Sequence, residues 1–347
     1  MLKDVIKKER FGDIDLSDDF FSSLKDDYPG FERWFKLKED NSAYVFREAG
    51  KVQGFLYLKD ENEEDNNIIP KFEKERRLKI GTFKINAHGT VLGQRFLSIA
   101  LRMFIEEDFP MVYVTVFEKQ KRLVALFEKF GFKKWGTKSN GELVYFKDLE
   151  IQEDLFKDFP RFEEKGKEKY LLGILPSFHT KLFPESKLNT EKDHQIEDLS
   201  FTNTLEKVYL TKMSGIPILK KGDLLMIYRT AAGGGNAEWT SVGTSICTVV
   251  EYKNINEFSD CASFVKYCGK GSIFSESQLK DFWRNKNYPH IVKMLYNAPL
   301  QKRIVRHDLC EKVGMARNNY FGFCGILDEE FQKILELGEV NEGYVVN

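Results

Sequence analysis

The segment 79–132 constrains the fold of this chain more than any other part of the sequence. Apolar and polar residues alternate at 79–85, which predicts a strand, and a turn of small residues follows at 88–93. A helical pattern then spans 91–107, a second β-like run spans 111–117, and another helical pattern ends the segment. A strand, a turn rich in backbone amides and a helix N-terminus together form an anion-binding structure.

The residues around this segment predict further elements of a mixed sheet. Apolar runs at 43–46 and 52–58 predict a β-hairpin, and two short helical patterns precede it. The acidic stretch 59–67 predicts a solvated loop between the hairpin and the next strand. The helix at 121–130 ends at Gly131, which has the position of a C′ glycine.

The length of 347 residues is compatible with two domains, and the pattern of elements changes along the chain. Residues 1–150 have the order β, αα, ββ, β, α, β, α, β, which predicts an α/β (α+β) fold with one mixed sheet and flanking helices. Residues 151–169 are charged and predict a connector, 170–300 predict a small β-barrel with added helices, and 301–347 predict a helical extension that covers the barrel.

The prediction for the second half depends on short strands separated by strong turn signals. Glycine and proline at 215–217 and the Lys-Gly-Asp turn at 221–223 separate the β-like runs, which favours a small barrel. The predicted strands are 171–175, 208–210, 224–228 and 245–252, and the predicted helices are 277–284, 306–313 and 328–337. Asp328 is the predicted N-cap of the last helix.

Composition narrows the class of protein. Hydrophobic residues make up 42% and charged residues 31%, as in soluble globular proteins, and the net charge of −1 restricts any nucleic-acid contact to a local patch. The five cysteines lack CxxC spacing, which predicts reduced thiols and no zinc site. Apolar runs are too short for a membrane span, and the first residues lack the apolar core of a signal peptide, so we expect a cytoplasmic protein.

Two motifs in the segment 79–132 resemble those of the GNAT N-acetyltransferase family. The turn is similar to the family's acetyl-CoA-binding pattern Arg/Gln-x-x-Gly-x-Gly/Ala, with His88 at its first position, Val91 at its first glycine and Gly93 at its last position. One strand and one helix later, residues 126–132 (Leu-Phe-Glu-Lys-Phe-Gly-Phe) resemble the family's Leu-Tyr-x-Lys-x-Gly-Phe signature. The simpler interpretation is that Gly89 makes the turn and Gly93 packs the helix on the sheet.

The resemblance implies that acetyl-CoA or another acyl-CoA is the cofactor, without a metal. Turn amides would hold its pyrophosphate, the main chain at 83–85 would pair with the pantetheine arm like an added strand, and the splayed ends of the strands at 79–85 and 111–117 would admit the thioester. The implied cofactor-binding residues are Phe83, Lys84, Ile85, His88, Gly89, Thr90, Val91, Leu92, Gly93, Gln94, Gln120 and Phe127.

The family's chemistry is direct attack by an amine on the thioester, helped by a general base and a general acid. The family's usual acid is the tyrosine of its signature, where this chain has Phe127, which has no proton to donate. Either another acid replaces it, or catalysis is weak or absent. The candidates are Tyr113, Tyr145 or water for the acid, and Glu73, Glu75 or His88 for the base.

Residues 208–213 and 220–229 resemble PUA-like barrels of the ASCH and EVE kind, in which a Lys-Gly-Asp turn leads into a central strand and a later strand, here 244–252, crosses it. Such domains commonly bind RNA or modified nucleotides. Positive charge and flat aromatic faces suit that role, and stacking contributes about 1–3 kcal/mol per base. The candidate residues are Lys212, Arg229, Trp239 and Arg284, although Trp239 and Trp283 could instead be core anchors.

The arrangement as a whole resembles that of proteins from toxin–antitoxin-type pairs, in which a GNAT domain and a PUA-like domain are encoded beside a PIN-domain ribonuclease. Two functions follow from these resemblances. The first is an acyl-CoA-dependent N-acyltransferase that recruits an RNA or nucleotide-bearing target. The alternative is a catalytically weak or inactive scaffold that neutralises the ribonuclease. A plain RNA-binding module is a third interpretation, and the sequence allows a homodimer without requiring one.

Overall fold

The computed structural model describes residues 6–86, 91–183, 204–231 and 236–346. The chain divides into two compact units, Met1–Lys157 and Asp158–Asn347. Each unit contains a mixed sheet with helices, so the predicted α/β fold class is confirmed. Within the described residues, no helix is both long and apolar enough to cross a membrane.

The first unit has the predicted elements in the predicted order, together with two strands that were not predicted, at 68–69 and 133–138. Its strands are β1 (Lys7–Arg10), β2 (Ser42–Glu48), β3 (Lys51–Glu61), β4 (Ile68–Ile69), β5 (Arg77–Ile85), β6 (Met111–Val116), β7 (Lys133–Lys138) and β8 (Leu143–Asp148). Its helices are α1 (Ser22–Asp27), α2 (Phe31–Lys36), α3 (Leu92–Glu106) and α4 (Lys121–Lys129), with 3-10 turns at Phe11–Asp13 and Asp19–Phe21.

The strands of the first unit form one sheet in the order β1-β2-β3-β5-β6-β8-β7-β4. Its ladders are antiparallel except that β5 and β6 run parallel. A parallel pair needs a crossover connection, which α3 provides between β5 and β6. The apolar side of α3 is buried against the sheet, and an added Cβ at Gly54 of β3 would lie 2.3 Å from Phe96. Gly54 therefore allows α3 to approach β3 closely.

The structure corrects the predicted loop at 59–67. β3 continues through Lys59 to Glu61, and β4 follows shortly after the loop. The sequence pattern also missed β7, whose lysine-rich residues do not show an apolar alternation. β7 lacks an apolar alternation because it lies near the edge of the sheet, between β8 and the two-residue β4, where strands tolerate polar residues on both faces.

The second unit contains the remaining elements. Its strands are β9 (Phe162–Glu163), β10 (Lys169–Ile174), β11 (Glu206–Thr211), β12 (Leu224–Arg229), β13 (Val242–Asn254), β14 (His290–Val305), β15 (Phe323–Gly325) and β16 (Val345–Val346). Its helices are α5 (Pro176–Leu182), α6 (Ala237–Thr240), α7 (Cys261–Cys268), α8 (Glu276–Asn285), α9 (Arg306–Asp308) and α10 (Asp328–Leu337). Shorter turns lie at Ile216–Ile218, Ile255–Glu257, Gly269–Gly271, Leu309–Val313 and Glu342–Tyr344.

The second unit is built around a sheet in the order β11-β14-β13-β12-β10-β15, and β9 and β16 form a separate parallel pair. The longest strand, β14, was not predicted, because Asn297 and Pro299 interrupt its apolar pattern. Pro299 lies in a stretch where the register between β13 and β14 shifts, a position where a strand tolerates proline. The Lys-Gly-Asp turn before β12 is present, with Gly222 at φ +95°.

Several predicted boundaries in the second half differ from the observed elements. The predicted limit at residue 300 falls inside β14, and residues 301–347 contribute β15 and β16 as well as helices. The predicted connector 151–169 includes β9. Asp328 is the first residue of α10 and Leu327 is its N-cap, with the Glu330 carboxylate accepting a 2.8 Å hydrogen bond from the Leu327 backbone amide.

Candidate functional site

Strands β5 and β6 separate part of the way along their length. They pair in parallel register only at Leu78–Ile80 on β5, although β5 continues to Ile85 and β6 continues to Val116. On its other side, β5 remains paired with β3 as far as Ile85. The backbone edge of β5 that faces β6 is therefore left without a strand partner at residues 81–85. Such an edge can pair with an extended ligand.

A groove of about 750 Å³ runs along this free edge and the start of α4, and we call it the α4 groove. It is lined by Ser23, Leu24, Asp27, Phe83, Lys84, Ile85, Asn86, Gly93, Gln94, Lys119, Gln120, Lys121, Arg122, Leu123 and Leu126. Gly93 keeps one side open, because an added Cβ there would lie 3.1 Å from Leu126 and 3.5 Å from Ile85. The groove volume is in the range of small-molecule sites.

The structure brings half of the predicted cofactor residues together in the α4 groove. Phe83, Lys84, Ile85, Gly93, Gln94 and Gln120 all line it. Val91 is the N-cap of α3, and Leu92 is buried beside Gly54 of β3. His88, Gly89 and Thr90 lie outside the described residues, so their predicted roles stay predictions.

Positive charge dominates the lining of the α4 groove. Four cationic side chains, those of Lys84, Lys119, Lys121 and Arg122, line it together with a single carboxylate, that of Asp27. Asp27 forms an ion pair with Lys119. Lys84 donates a 2.7 Å hydrogen bond to the Ser23 hydroxyl, and burial lowers the pKa of Lys84. Within the described part of the chain, Lys121 and Arg122 form no ion pair. The groove therefore has the charge that a phosphorylated ligand requires.

Lys121 and Arg122 are also the first two residues of α4. Cations at a helix N-terminus interact unfavourably with the helix dipole, at a cost of about 0.3–1 kcal/mol each. An anion bound at this point would be stabilised both by the two side chains and by the free amides of the first turn.

Phe127, which the resemblance implies to be a cofactor contact, does not line the α4 groove. Its side chain is fully buried, with ring centroids 5.6 Å from Phe83 and 5.0 Å from Phe132. Phe127 is therefore a core residue, and its ring packs against Phe83 beneath the groove. Phenylalanine has no hydroxyl, so Phe127 cannot act as the general acid for a ligand in the groove.

A second cavity, of about 420 Å³, lies beside the α4 groove, and we call it the aromatic pocket. Its lining shares Leu24, Phe83, Gln120 and Leu123 with the groove, so the two spaces adjoin where β5 and β6 separate. The other lining residues are Tyr28, Pro29, Gly30, Phe31, Trp34, Lys38, Tyr57, Lys59, Glu61, Lys79, Ile80, Gly81, Thr82, Val114, Thr115, Lys138 and Glu142.

Glu61 is one of the two carboxylates in the aromatic pocket. It accepts hydrogen bonds from Lys59 over 2.8 Å, from Lys79 over 3.3 Å and from the Tyr113 hydroxyl over 2.5 Å. Burial raises the pKa of Glu61, but the two lysines and Tyr113 outweigh it, so the pKa is lowered overall. Glu61 therefore remains an ionised hydrogen-bond acceptor at neutral pH.

Glu142 is the second carboxylate of the pocket, and its side chain is only 3% exposed. It accepts a 2.6 Å hydrogen bond from the Tyr28 hydroxyl and a 3.0 Å hydrogen bond from Asn140. Lys138 is 4.0 Å away, at the limit of an ion pair. Burial and the neighbouring Glu142 raise the pKa of Tyr28, so this hydroxyl keeps its proton.

The predicted catalytic residues do not meet in either cavity. Tyr113 is fully buried and reaches the aromatic pocket only through Glu61. Tyr145 is also buried and donates to Glu128 over 3.1 Å, outside both linings. Glu73 and Glu75 are exposed on the loop before β5, and neither lines the α4 groove or the second cavity.

Sequence reasoning missed Glu61 and Glu142. Glu61 belongs to the acidic stretch 59–67, which predicted a solvated loop. The alternation of Tyr57, Lys59 and Glu61 along β3 was the available signal, since residues two apart on a strand point to the same face and all three line the pocket. Glu142 precedes β8 and carried no comparable signal.

The four predicted nucleic-acid-binding residues of the second unit lie near opposite ends of β14. Lys212 follows Thr211, which pairs with His290 at the start of β14, and Arg284 is on the helix shortly before that strand. Arg229 pairs with Val242, whose other partner is Val305 at the end of β14. The structure therefore does not gather them into one surface.

Trp239 and Trp283 have different environments. Trp239 is 57% exposed and stacks on His307, with ring centroids 4.2 Å apart, so it is not a core anchor. Trp283 packs on the core of the second unit, in contact with Phe264, as the simpler interpretation predicted. Arg284 is paired with Asp281 over 2.8 Å on the exposed side of α8.

Comparison with known proteins identifies similar solved structures but no family. No protein-family model matches this sequence, and no curated protein sequence matches it. The chain is similar over 35% of its length to a GNAT-family acetyltransferase from Listeria monocytogenes, covering 70% of that chain at 20% identity with a TM-score of 0.27. It is similar over 42% of its length to the PaiA N-acetyltransferase from Thermoplasma acidophilum in complex with coenzyme A, covering 99% of that chain at 14% identity with a TM-score of 0.30.

A third likeness is to a mutant of the ZmASCH protein from Zymomonas mobilis. It covers 49% of this chain and 96% of that chain, at 12% identity and a TM-score of 0.32. All three TM-scores are below 0.5, so these likenesses carry no argument about this chain.

Proposed function

We propose that the first unit binds an acyl-CoA in the α4 groove and transfers its acyl group to an amine that enters through the aromatic pocket. The observation that carries the proposal is the separation of β5 from β6 at the junction of two cavities with different chemistry. One cavity is cationic and elongated along a free strand edge, and the other contains carboxylates. When bound, acyl-CoA supplies an activated thioester; the C–N bond forms as the C–S bond breaks, the amine loses a proton and the thiolate gains one.

The residues of the α4 groove fit such a ligand. Its diphosphate would be held by Lys121 and Arg122 together with the amides at the start of α4. The open backbone edge of β5 at Phe83 and Ile85 would pair with the amides of the pantetheine arm. Gly93 leaves room for the ligand, because a larger residue would fill the space between Ile85 and Leu126.

The carboxylates of the aromatic pocket would accept the proton of the attacking amine. Glu61 is ionised and lies where the acceptor would enter, and Tyr113 positions it. Glu142 is the second candidate, held by the Tyr28 hydroxyl. General-base catalysis typically contributes 10²–10⁴-fold in rate. An acyl-transfer assay of Glu61→Gln and Glu142→Gln should therefore show which of the two carboxylates is the general base.

Calorimetric titration with acetyl-CoA tests the cofactor site directly. The double variant Lys121→Glu/Arg122→Glu should bind acetyl-CoA at least about tenfold more weakly, and the wild-type affinity should fall as salt screens the charges. Arg33→Glu/Lys36→Glu is the matched control, because it makes the same change in charge on α2, outside the groove. No binding to the wild type at high micromolar acetyl-CoA would refute the proposal.

Release of the free thiol in the presence of amines then tests turnover. A protein that binds acetyl-CoA but never releases thiol would support the alternative function, a scaffold that partners a PIN-domain ribonuclease. The buried Phe127 favours this alternative, since it removes the acid that the GNAT resemblance implies. Thiolates are good leaving groups, however, so Phe127 does not by itself prevent turnover.

We propose that the second unit is the part that contacts RNA or a nucleotide. The support is the exposed ring of Trp239 next to His307 at one end of β14, which offers a flat face for stacking. Trp239→Ala should weaken binding to single-stranded RNA by about 1–3 kcal/mol in a fluorescence titration. Trp283→Ala is unsuitable as a control because Trp283 packs on the core, so Tyr320→Ala, which removes another exposed ring of the second unit, provides the comparison.

A further inference from the structure

The aromatic pocket has the size and walls of a site for a small molecule. Its volume of about 420 Å³ is within the range of small-ligand sites, which is roughly 300–1,000 Å³. Aromatic rings form much of its wall, including those of Tyr28, Trp34 and Tyr57. Trp34 and Tyr57 contact each other edge to face, with centroids 5.9 Å apart, which fixes both rings. Such walls favour a ligand with a flat or apolar body.

The charges in the pocket are not balanced. Four lysines, Lys38, Lys59, Lys79 and Lys138, line it with only two carboxylates, Glu61 and Glu142. Lys59 and Lys79 both contact the same carboxylate, that of Glu61. Within the described residues, Lys38 forms no ion pair. An amine that carries only its own positive charge would therefore enter a pocket with an excess of two positive charges.

Both carboxylates of the pocket accept hydrogen bonds from protein side chains. Glu61 accepts from two lysines and Tyr113, and Glu142 accepts from Tyr28 and Asn140. The excess of positive charge favours an anionic ligand. Among the lysines of the pocket that form ion pairs, Lys79 is the least exposed, with 20% of its side chain exposed. Lys79 and Lys138 lie close enough to repel each other, which an anion between or beside them would relieve.

We propose that the acceptor of the aromatic pocket is a small amine that also carries an anionic group, a carboxylate or a phosphate, on an aromatic or apolar body. Lys79 is the principal ligand of that anion and Lys38 is the second. The proposal rests on the proposed acyl transfer for the role of the amine, but the pocket's preference for an anion is a binding property and can be measured without turnover.

The test compares ligand pairs that differ only in the anion. Phenylalanine is compared with phenethylamine for the carboxylate, and O-phosphotyramine with tyramine for the phosphate. Dissociation constants are measured by calorimetry on the full chain saturated with CoA. In at least one pair the anionic member should bind at least about tenfold more tightly. Which pair shows the difference tells whether carboxylate or phosphate is the natural anion.

Lys79→Gln should remove most of the preference for the anionic member of each pair. The affinity for phenethylamine or tyramine, which lack the anion, should stay the same or rise, because one positive charge has left the pocket. Lys36→Gln, an equal loss of charge on α2 outside the pocket, should change neither. If Lys79→Gln fails to fold, Lys38→Gln is used, since Lys38 lines the same pocket. Equal affinity within both pairs, no binding by any of the four compounds, or equal loss for both members in the Lys79 variant would overturn the proposal.

Failure of this proposal can be distinguished from failure of the proposed function. If acetyl-CoA does not bind, the acyl-transfer proposal is refuted, and the amine pairs are then tested on the protein without CoA. If acetyl-CoA binds and thiol is released with tyramine and phenethylamine as readily as with their anionic partners, acyl transfer stands and the acceptor class proposed here is wrong.

Discussion

The hydroxyl of Tyr28 donates a 2.6 Å hydrogen bond to the carboxylate of Glu142, a residue 114 positions further along the chain. The bond joins the loop between α1 and α2 to the residue that precedes β8. The ring of Tyr28 also packs against Phe117, with centroids 5.4 Å apart, just after β6. One side chain therefore connects the N-terminal helices to the β6–β8 side of the opening between β5 and β6.

Removal of this hydroxyl should destabilise the first unit. Glu142 is almost fully buried, so Tyr28→Phe takes away one of the donors that compensate its charge. Hydrogen bonds to charged groups contribute about 1.5–3 kcal/mol, and we expect a loss of that size in the free energy of unfolding measured in urea.

Tyr57→Phe is the matched control for this change. Tyr57 lines the same pocket and is buried, but its hydroxyl makes no hydrogen bond within the described residues. Its substitution should change stability by less than about 0.5 kcal/mol. Equal losses in the two variants would show that the Tyr28–Glu142 bond does not stabilise the fold.

Gly131 should tolerate no side chain. Its φ of +86° is in the left-handed region, and an added Cβ would lie 2.3 Å from the backbone oxygen of Lys157. Gly141 has nearly the same φ, +87°, but open space around it. Gly141→Ala should cost only the conformational penalty of about 1–2 kcal/mol, and Gly131→Ala should cost clearly more, as measured by urea unfolding. Equal costs would show that the contact with Lys157 is not tight.

His179 should make the second unit sensitive to acid. Burial, with the charges of Arg229 and Arg303 nearby, lowers the pKa of His179 to about 3. The unfolded chain binds this proton near the usual pKa of 6.5, whereas the folded chain does not bind it until about pH 3. The contribution of His179 to stability is therefore present at neutral pH and is lost as the pH falls from 6.5 toward 3.

The expected loss from this one group is about 1.4 kcal/mol by about pH 5.5, relative to neutral pH. Urea unfolding at the two pH values measures the total loss in the wild type. His179→Gln keeps a polar group that can hydrogen-bond to Thr244, the partner of the His179 Nε2 atom at 2.9 Å. This variant should lose less stability on acidification than the wild type, and an unchanged pH dependence would contradict the assignment.

Lys121 should have opposite effects on stability and on ligand binding. It is the first residue of α4 and lines the α4 groove. Lys121→Gln removes a cation from the positive end of the helix dipole, so the protein without ligand should gain about 0.3–1 kcal/mol in thermal or urea unfolding. The same change should weaken acetyl-CoA binding. Lys129→Gln, at the other end of α4, should instead lower stability, since a cation is favourable there.

The sequence predicted most of the first unit because its signals are local. The alternation at β5, the apolar run of β6 and the C′ glycine after α4 each involve residues within one or two turns of each other. Half of the cofactor residues implied by the resemblance line one groove. Five of these six residues belong to the end of β5 or the start of α3, which are close in the sequence, and the sixth, Gln120, is the N-cap of α4. Local patterns were also enough for β10 to β13 and for the last helix.

What only the tertiary structure decided is which distant side chains meet. Glu61 lies 18 residues before Lys79 and 52 residues before Tyr113. The acidic composition of its stretch does not distinguish a buried pocket carboxylate from a solvated one. Phe127 is a core residue, and the residues predicted to bind nucleic acid lie at opposite ends of β14, because sheet pairing sets these positions. The sequence alone determined the elements and their order, whereas the charge balance and chemistry of the pocket arose from long-range packing.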